Sequence, residues 1–282
     1  MEDKIKKAIE ANIIVHSTMA DEYNLKEPHF RPESIERVTK IIEKIYSELN
    51  FENALDLGCG TGFMINILKK KAKKIVGVDV TQAMLDKVDL TGQAEITLIN
   101  SDTGTVDLPQ NHFDIATAYT FLDHLYDMKP TFNNTFNSLK KGGVFYADLS
   151  PNFYFWQSIK ALDFSKNYDS ILQREINAVL RKDEEIEKEF GIEKEVFSMA
   201  EHQKHKLGGL NEISLKEELL NCGFSKVEFI YHWFVGQAEL INNTEIDLKE
   251  RKITAEIMHN YLTRSLPLSR HLFKYVGFIA TK

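Results

Sequence analysis

The chain is 282 residues long, 43% hydrophobic and 27% charged, with a formal net charge of −7. That acidic balance argues against a protein that holds bulk duplex nucleic acid, which would present a basic face. Two widely separated cysteines, Cys59 and Cys222, provide neither a disulfide framework nor a metal spacing, and no apolar run approaches membrane-spanning length. The first residues, Met1-Glu2-Asp3-Lys4, mix charges and lack a signal-peptide core, so a soluble cytoplasmic protein is expected.

Residues 5–19 read as an amphipathic helix. A polar loop follows, through Tyr23 and His29, and Pro32 opens a second helix. Its apolar positions, Ile35, Val38, Ile42, Ile45 and Leu49, share one helical face. The chain then alternates. Strands are predicted at 53–57, 74–80, 96–100, 113–120 and 144–148. Helices are predicted after Gly62, after Thr81 (its cap) and after Pro130, the last ending at Lys140-Lys141-Gly142-Gly143. The run at 113–120 is almost wholly apolar, as a strand covered on both faces requires. This alternation implies a doubly wound, parallel sheet. The basic run from Lys69 to Lys74 is read as a solvated helix end.

The most informative segment is Asp56-Leu57-Gly58-Cys59-Gly60-Thr61-Gly62, between the first strand and the first crossover helix. Glycines there let the backbone approach a ligand closely. Free N–H groups at a helix start favour a carboxylate or phosphate. A second carboxylate, Asp79, ends the next strand, where it can accept from paired ribose hydroxyls. A dinucleotide fingerprint needs a third small residue. Counted from Gly58 that position is Phe63, which argues against the dinucleotide reading. Cys59, inside the loop, is read as structural.

The spacing Asp-x-Gly-x-Gly-x-Gly resembles the nucleotide-binding loop of the class I S-adenosylmethionine (SAM) methyltransferases, and the resemblance runs from Ala54 to Leu149. It implies a Rossmann-like, mostly parallel seven-stranded sheet whose last strand runs antiparallel, with SAM as cofactor and S-adenosylhomocysteine (SAH) as its product. It implies that Asp56 orients the loop and helps hold the cofactor's ammonium, and that Gly58, Gly60 and Gly62 approach its methionine portion. Asp102 would accept the adenine amine, with a neighbouring backbone N–H, that of Thr103, meeting a ring nitrogen. Val80 and Met84 would sandwich the adenine. The stretch from Tyr119 to His124 would border the sulfonium and the methyl acceptor. His124 is the candidate general base, because its ordinary pKa lies near neutrality, and Asp123 is the alternative; His124 also reads as a loop-capping structural histidine. Tyr23 and His29 lie in an N-terminal lid, where either would touch cofactor or acceptor.

From Pro151 the pattern changes. Phe153, Tyr154, Phe155 and Trp156 cluster just after a strand end that faces the ligand, and read either as packing or as an inserted cap holding an acceptor pocket. The charged run from Arg181 to Glu189 reads as a solvated edge. His202 and His205 have no evident partners for a metal and are given a surface or strand role. The tail supplies a helix at 214–222 stopped by Gly223, strands at 225–234 and 275–281, and a helical stretch between them. The division expected is a lid at 1–50, a SAM-binding core at 51–150, a cap at 151–210 and completion of the sheet at 211–282. The function expected is methyl transfer to an O, N or C nucleophile of a small molecule, without nucleic acid, metal or membrane span. A SAM-binding protein without catalysis and a nicotinamide-dependent oxidoreductase stay as alternatives.

Overall fold

The computed structural model describes the backbone of residues 2–282 and the side chains of residues 3–179 and 187–282. Its strands are β1 (Asn53–Leu57), β2 (Lys74–Asp79), β3 (Glu95–Asn100), β4 (Phe113–Tyr119), β5 (Leu139–Pro151), β6 (Lys226–Phe234) and β7 (Phe273–Thr281). They form one sheet in the order β3-β2-β1-β4-β5-β7-β6. Pairing is parallel from β3 to β5, and β7 runs antiparallel to both neighbours. The strand order reverses between β1 and β4, so a crevice opens there beyond the carboxyl ends.

Helix α1 spans Glu2–Met19, α2 Tyr23–Lys26 and α3 Pro32–Leu49. In α3, Pro32 supplies a preset φ at the first turn, and Asn50 ends the helix in the left-handed conformation at φ 50°. Its buried face is Val38, Ile42 and Ile45. The crossover helices are α4 (Phe63–Leu68), α5 (Gln82–Leu85) and α6 (Lys129–Ser138). Helices α3 and α4 bury one face of the sheet through Ile42, Met64 and Ile67. The other face is covered by Phe132 of α6, by Leu215 and Leu219 of α11 (Glu212–Cys222) and by Ala255. Asn211 accepts from the N–H groups of Ile213 and Ser214 at the start of α11, and Gly223 at φ 113° ends it.

Between β5 and α11 the chain forms α7 (Phe153–Lys160), α8 (Ser170–Phe190), α9 (Lys194–Ala200) and α10 (His202–His205). The charged run lies in α8, and its side chains at 181–186 fall outside the described residues. Helix α9 and the turn before it pack on α1: Ala11, Val15 and Met19 meet Ile192, Phe197 and Ala200. The insertion between β6 and β7 holds α12 (Gln237–Asn242) and α13 (Leu248–Arg264).

Several boundaries differ from expectation. Strand β5 begins at Leu139, not Val144: the Gly142–Gly143 pair does not stop the chain but sits in a register shift beside β4. Thr81 is buried and does not cap α5 with its side chain; its N–H is bound by Asp79 instead. His202 and His205 lie on a helix, where His205 faces Glu201 at 3.1 Å and His202 packs on Tyr126. Lys69 of the basic run reaches Asp89 at 2.8 Å.

Candidate functional site

The glycine loop takes its shape from β1 and β2. Cys59 N–H donates to the Val78 carbonyl at 3.1 Å, and Gly62 N–H to the Cys59 carbonyl at 2.8 Å. Gly58 has φ +64°, and a Cβ added there would lie 2.0 Å from the Phe121 ring. No other residue fits that position without moving Phe121. Cys59 is buried, its sulfur packed under Gly77, and burial raises its thiol pKa well above the ordinary value. It is a packing group, not a thiolate.

Two cavities meet beyond this loop. The smaller, about 150 Å³, runs along Gly58, Gly60, Asp79, Val80, Met84, Asp102 and Thr103, with Phe121 and Pro130 on its flank and Ile5, Ile9 and Asn12 of α1 above. The larger, about 400 Å³, is lined by Tyr23, His29, Asp123 and Leu149, by Phe155, Trp156, Glu175 and Glu201 from the inserted helices, and by Trp233 and Tyr275 from the last two strands. His16, Tyr23, Thr120 and His124 line both, so these four side chains form the partition.

Asp79 accepts from Gly60 N–H at 2.9 Å and from Thr81 N–H at 2.8 Å, one bond to each oxygen. A carboxylate has about four acceptor sites, so acceptor capacity is left for a ligand hydroxyl beyond the bonds from Gly60 and Thr81. Burial raises its pKa, against the two backbone N–H groups that lower it. Asp102 Oδ1 accepts from Gly104 N–H at 3.0 Å and Thr103 ties its hydroxyl to Thr131 at 2.8 Å. Val80 and Met84 give the same cavity an apolar wall.

At the partition, Nδ1 of His124 lies 3.0 Å from the Ala200 carbonyl. A carbonyl only accepts, so Nδ1 carries a proton, and in the neutral ring Nε2 holds the lone pair. His16 repeats the arrangement one turn along α1, its Nδ1 2.9 Å from the Asn12 carbonyl. The two rings meet edge to face at 4.9 Å. Burial, then the neighbouring His124, lower the His16 pKa to about 4, so it is neutral at pH 7. Asn12 also donates to the His124 carbonyl at 3.2 Å and thereby fixes α1 to the loop after β4. Asp123 is 8% exposed, and its Oδ1 has no hydrogen-bond partner among the described residues. Burial raises its pKa.

Backbone strain gathers at the same place. Thr120, Leu149 and Trp233 are non-glycine residues with φ of 49°, 60° and 56°, and all three line the larger cavity. Each such conformation costs on the order of 1–3 kcal/mol and persists only where its surroundings dictate it. For Thr120 and Leu149 the dictating group is Asp148, wholly buried, whose carbonyl accepts from Thr120 N–H and whose Oδ1 accepts from Leu149 N–H at 2.7 Å. Its other oxygen accepts from Arg37 at 2.8 Å and from Tyr146 at 2.6 Å. Burial alone would raise the Asp148 pKa; His232 and Arg37 overcome it and hold the carboxyl far below the ordinary range.

Some expected residues lie elsewhere. Tyr119 lines neither cavity: its ring stacks on Phe63 at 4.6 Å and its hydroxyl accepts from Arg37 at 3.0 Å. Gly62 starts α4 and is not on the wall. Asp56 lies beneath the loop, 1% exposed, accepting from the Thr117 hydroxyl at 2.7 Å; its Oδ2 is unpartnered among the described residues, and burial raises its pKa to about 7. Of the aromatic cluster only Phe155 and Trp156 face the cavity. Tyr154 instead lies under the Arg270 guanidinium at 3.6 Å, and Phe153 packs on Tyr154. Sequence reasoning missed His16, Glu175, Glu201, Trp233 and Tyr275. A signal existed only for His16: Asn12 and His16 are a polar i, i+4 pair beside the apolar stripe of α1. Among the described residues there is no group of three His, Cys, Asp or Glu side chains able to hold a metal ion, and no helix long and apolar enough to cross a membrane.

Residues 55–147 match the family model of the methyltransferase domain. The chain is 27% identical over 109 residues to a ubiquinone biosynthesis O-methyltransferase of Coxiella burnetii, covering 37% of this chain and 47% of the relative. It is 25% identical over 130 residues to a probable S-adenosylmethionine-dependent methyltransferase of Mycolicibacterium smegmatis, covering 45% and 47%. The chain thus spans about half the length of these curated relatives. In fold it is similar to a SAM-dependent methyltransferase from Archaeoglobus fulgidus (TM-score 0.52, 16% identity, 88% and 95% of the two chains). It is also similar to phosphoethanolamine N-methyltransferase 2 of Haemonchus contortus crystallised with SAM (TM-score 0.51, 12% identity, 94% and 60%).

Proposed function

We propose that this chain, whose residues 55–147 are a class I SAM-dependent methyltransferase domain, transfers a methyl group from SAM to a nucleophile on a small molecule. The observation that carries the reading is the acceptor capacity left on Asp79 where it lines the smaller cavity beside Gly58 and Gly60. The residues suit the donor. Asp79 would take the two ribose hydroxyls, Asp102 the adenine amine, and Val80 and Met84 the faces of the ring. The glycine loop would lie along the methionine portion, with the unpartnered Asp56 oxygen beneath it. Bound there, SAM would supply a methyl group already activated by its sulfonium.

The protein's part is then alignment. The partition residues Tyr23, Thr120 and His124 would hold the nucleophile toward the smaller cavity, and α1 and α9 would keep water out. Orientation of this kind can remove roughly 7–11 kcal/mol of barrier. The Nε2 lone pair of His124, set by the Nδ1 bond to Ala200, would receive a proton from the nucleophile. The larger cavity, with aromatic walls, is where the acceptor would sit, and 400 Å³ suits a small molecule.

Titration calorimetry tests the donor site. Asp79→Ala should weaken SAM binding by about tenfold or more, about 1.4 kcal/mol. Equal affinity of wild type and variant removes Asp79 from the site, and absence of SAM binding by the wild type removes the whole reading.

A further inference from the structure

The charges around the larger cavity are unevenly balanced. Its two inner cations are each paired with a buried acid: Lys204 with Glu201, and Lys274 with Glu175. Arg174 stands at the exposed rim. Two acids on the wall lie outside those pairs: Glu27, which stands 3.8 Å from His29, and Asp123. Asp123 is more than nine-tenths buried, with an oxygen that no described residue satisfies. It lines the larger cavity and not the smaller one, so it faces the acceptor side of the partition. A buried carboxylate oxygen without a donor is costly, and a ligand N–H that reaches it removes that cost. The aromatic residues Tyr23, Trp233 and Tyr275 on the same wall also favour a cation. An anionic acceptor would be repelled by Asp123 at this wall.

Resting on the reading of the chain as a methyltransferase, we propose that its acceptor is an amine, taken up as the ammonium and held by Asp123 with its nitrogen beside His124. One N–H proton passes to Nε2 of His124 and frees the nitrogen lone pair. The nitrogen then forms its bond to the methyl carbon as the carbon–sulfur bond breaks, the electron pair returning to sulfur. The products are the methylated ammonium, SAH and the proton on His124. The aromatic wall selects an amine on an apolar or aromatic body.

Calorimetry on the SAH-loaded full chain tests this with four probes of similar size: 2-phenylethylamine, 2-phenylethanol, 4-ethylphenol and phenylacetate. The amine should bind at least tenfold more tightly than the other three. Asp123→Asn should lower its affinity at least tenfold and leave SAH affinity unchanged. The proposal is overturned if the phenol, alcohol or carboxylate binds as well as the amine, or if 20 mM amine gives no binding. It is equally overturned if Asp123→Asn binds SAH normally and keeps the amine affinity. Should that variant lose SAH binding, the wild-type order of the four probes decides alone. Failure of the wild type to bind SAH sinks the methyltransferase reading; rejection of amines by a chain that binds SAH sinks only the amine.

Discussion

His124 owes its chemistry to a contact that no local pattern contains. Its Nδ1 proton is held by the carbonyl of Ala200, 76 residues along the chain, and this leaves Nε2 as the basic nitrogen of the neutral ring. The expected result of His124→Gln is therefore a fall in methyl transfer of roughly 10²–10⁴-fold, the usual worth of a positioned base, with SAM affinity unchanged. Steady-state rates and calorimetry on one preparation check both halves. Loss of both together marks the residue as structural. Cys59 shows the opposite case. A cysteine in a ligand-binding loop invites a chemical role, but its sulfur packs beneath Gly77, and packing explains it.

At the scale of elements, α3 is joined to the sheet by one polar network as well as by its apolar face. Arg37 reaches Asp148 of β5, His232 of β6 at 2.9 Å and Tyr119 of β4. Gly277 of β7 makes room for it, because a Cβ there would lie 2.6 Å from both Ala147 O and Asp148 Oδ1. Removing one partner of a buried pair leaves the other charge uncompensated. Arg37→Met should then destabilise the fold by about 3–5 kcal/mol, read from urea denaturation. Because Asp148 also holds Thr120 and Leu149 in their strained conformations, the same variant should loosen the partition between the cavities. The glycine turn, the alternating strands and the capped helices are visible in sequence because each is a local matter of spacing and φ. Arg37 drew no attention, because its helix position reads as an ordinary solvated face until β4, β5 and β6 are brought beside it.

For the whole molecule, buried titratable groups make opposing contributions to acid stability. His16 has a folded pKa of about 4 against an ordinary 6.5. Its contribution is complete above pH 6.5 and is lost as the pH falls toward 4. Asp56 has a folded pKa near 7 against an ordinary 3.8. Its contribution is complete below pH 3.8 and is lost as the pH rises toward 7. The two act over the same window with opposite sign. Compared with wild type, His16→Gln should therefore show a larger stability deficit at pH 7 than at pH 4, by about 2–3 kcal/mol. Asp56→Asn should show the larger deficit at pH 4. Urea unfolding at the two pH values reads both, and deficits that do not change with pH would mean that neither group titrates in the folded protein.

The sequence alone determined the doubly wound core, the glycine bend and the acid that follows it. Those features are written in residues close together in the chain, where hydrophobic period and backbone preference act directly. The tertiary structure decided which distant side chains share a wall: His16 beside His124, Asp123 on the wall of a cavity shared with the inserted helices, and Tyr119 turned away to stack on Phe63. Such meetings depend on how helices and strands pack across the whole sheet, and residue spacing carries no record of that packing.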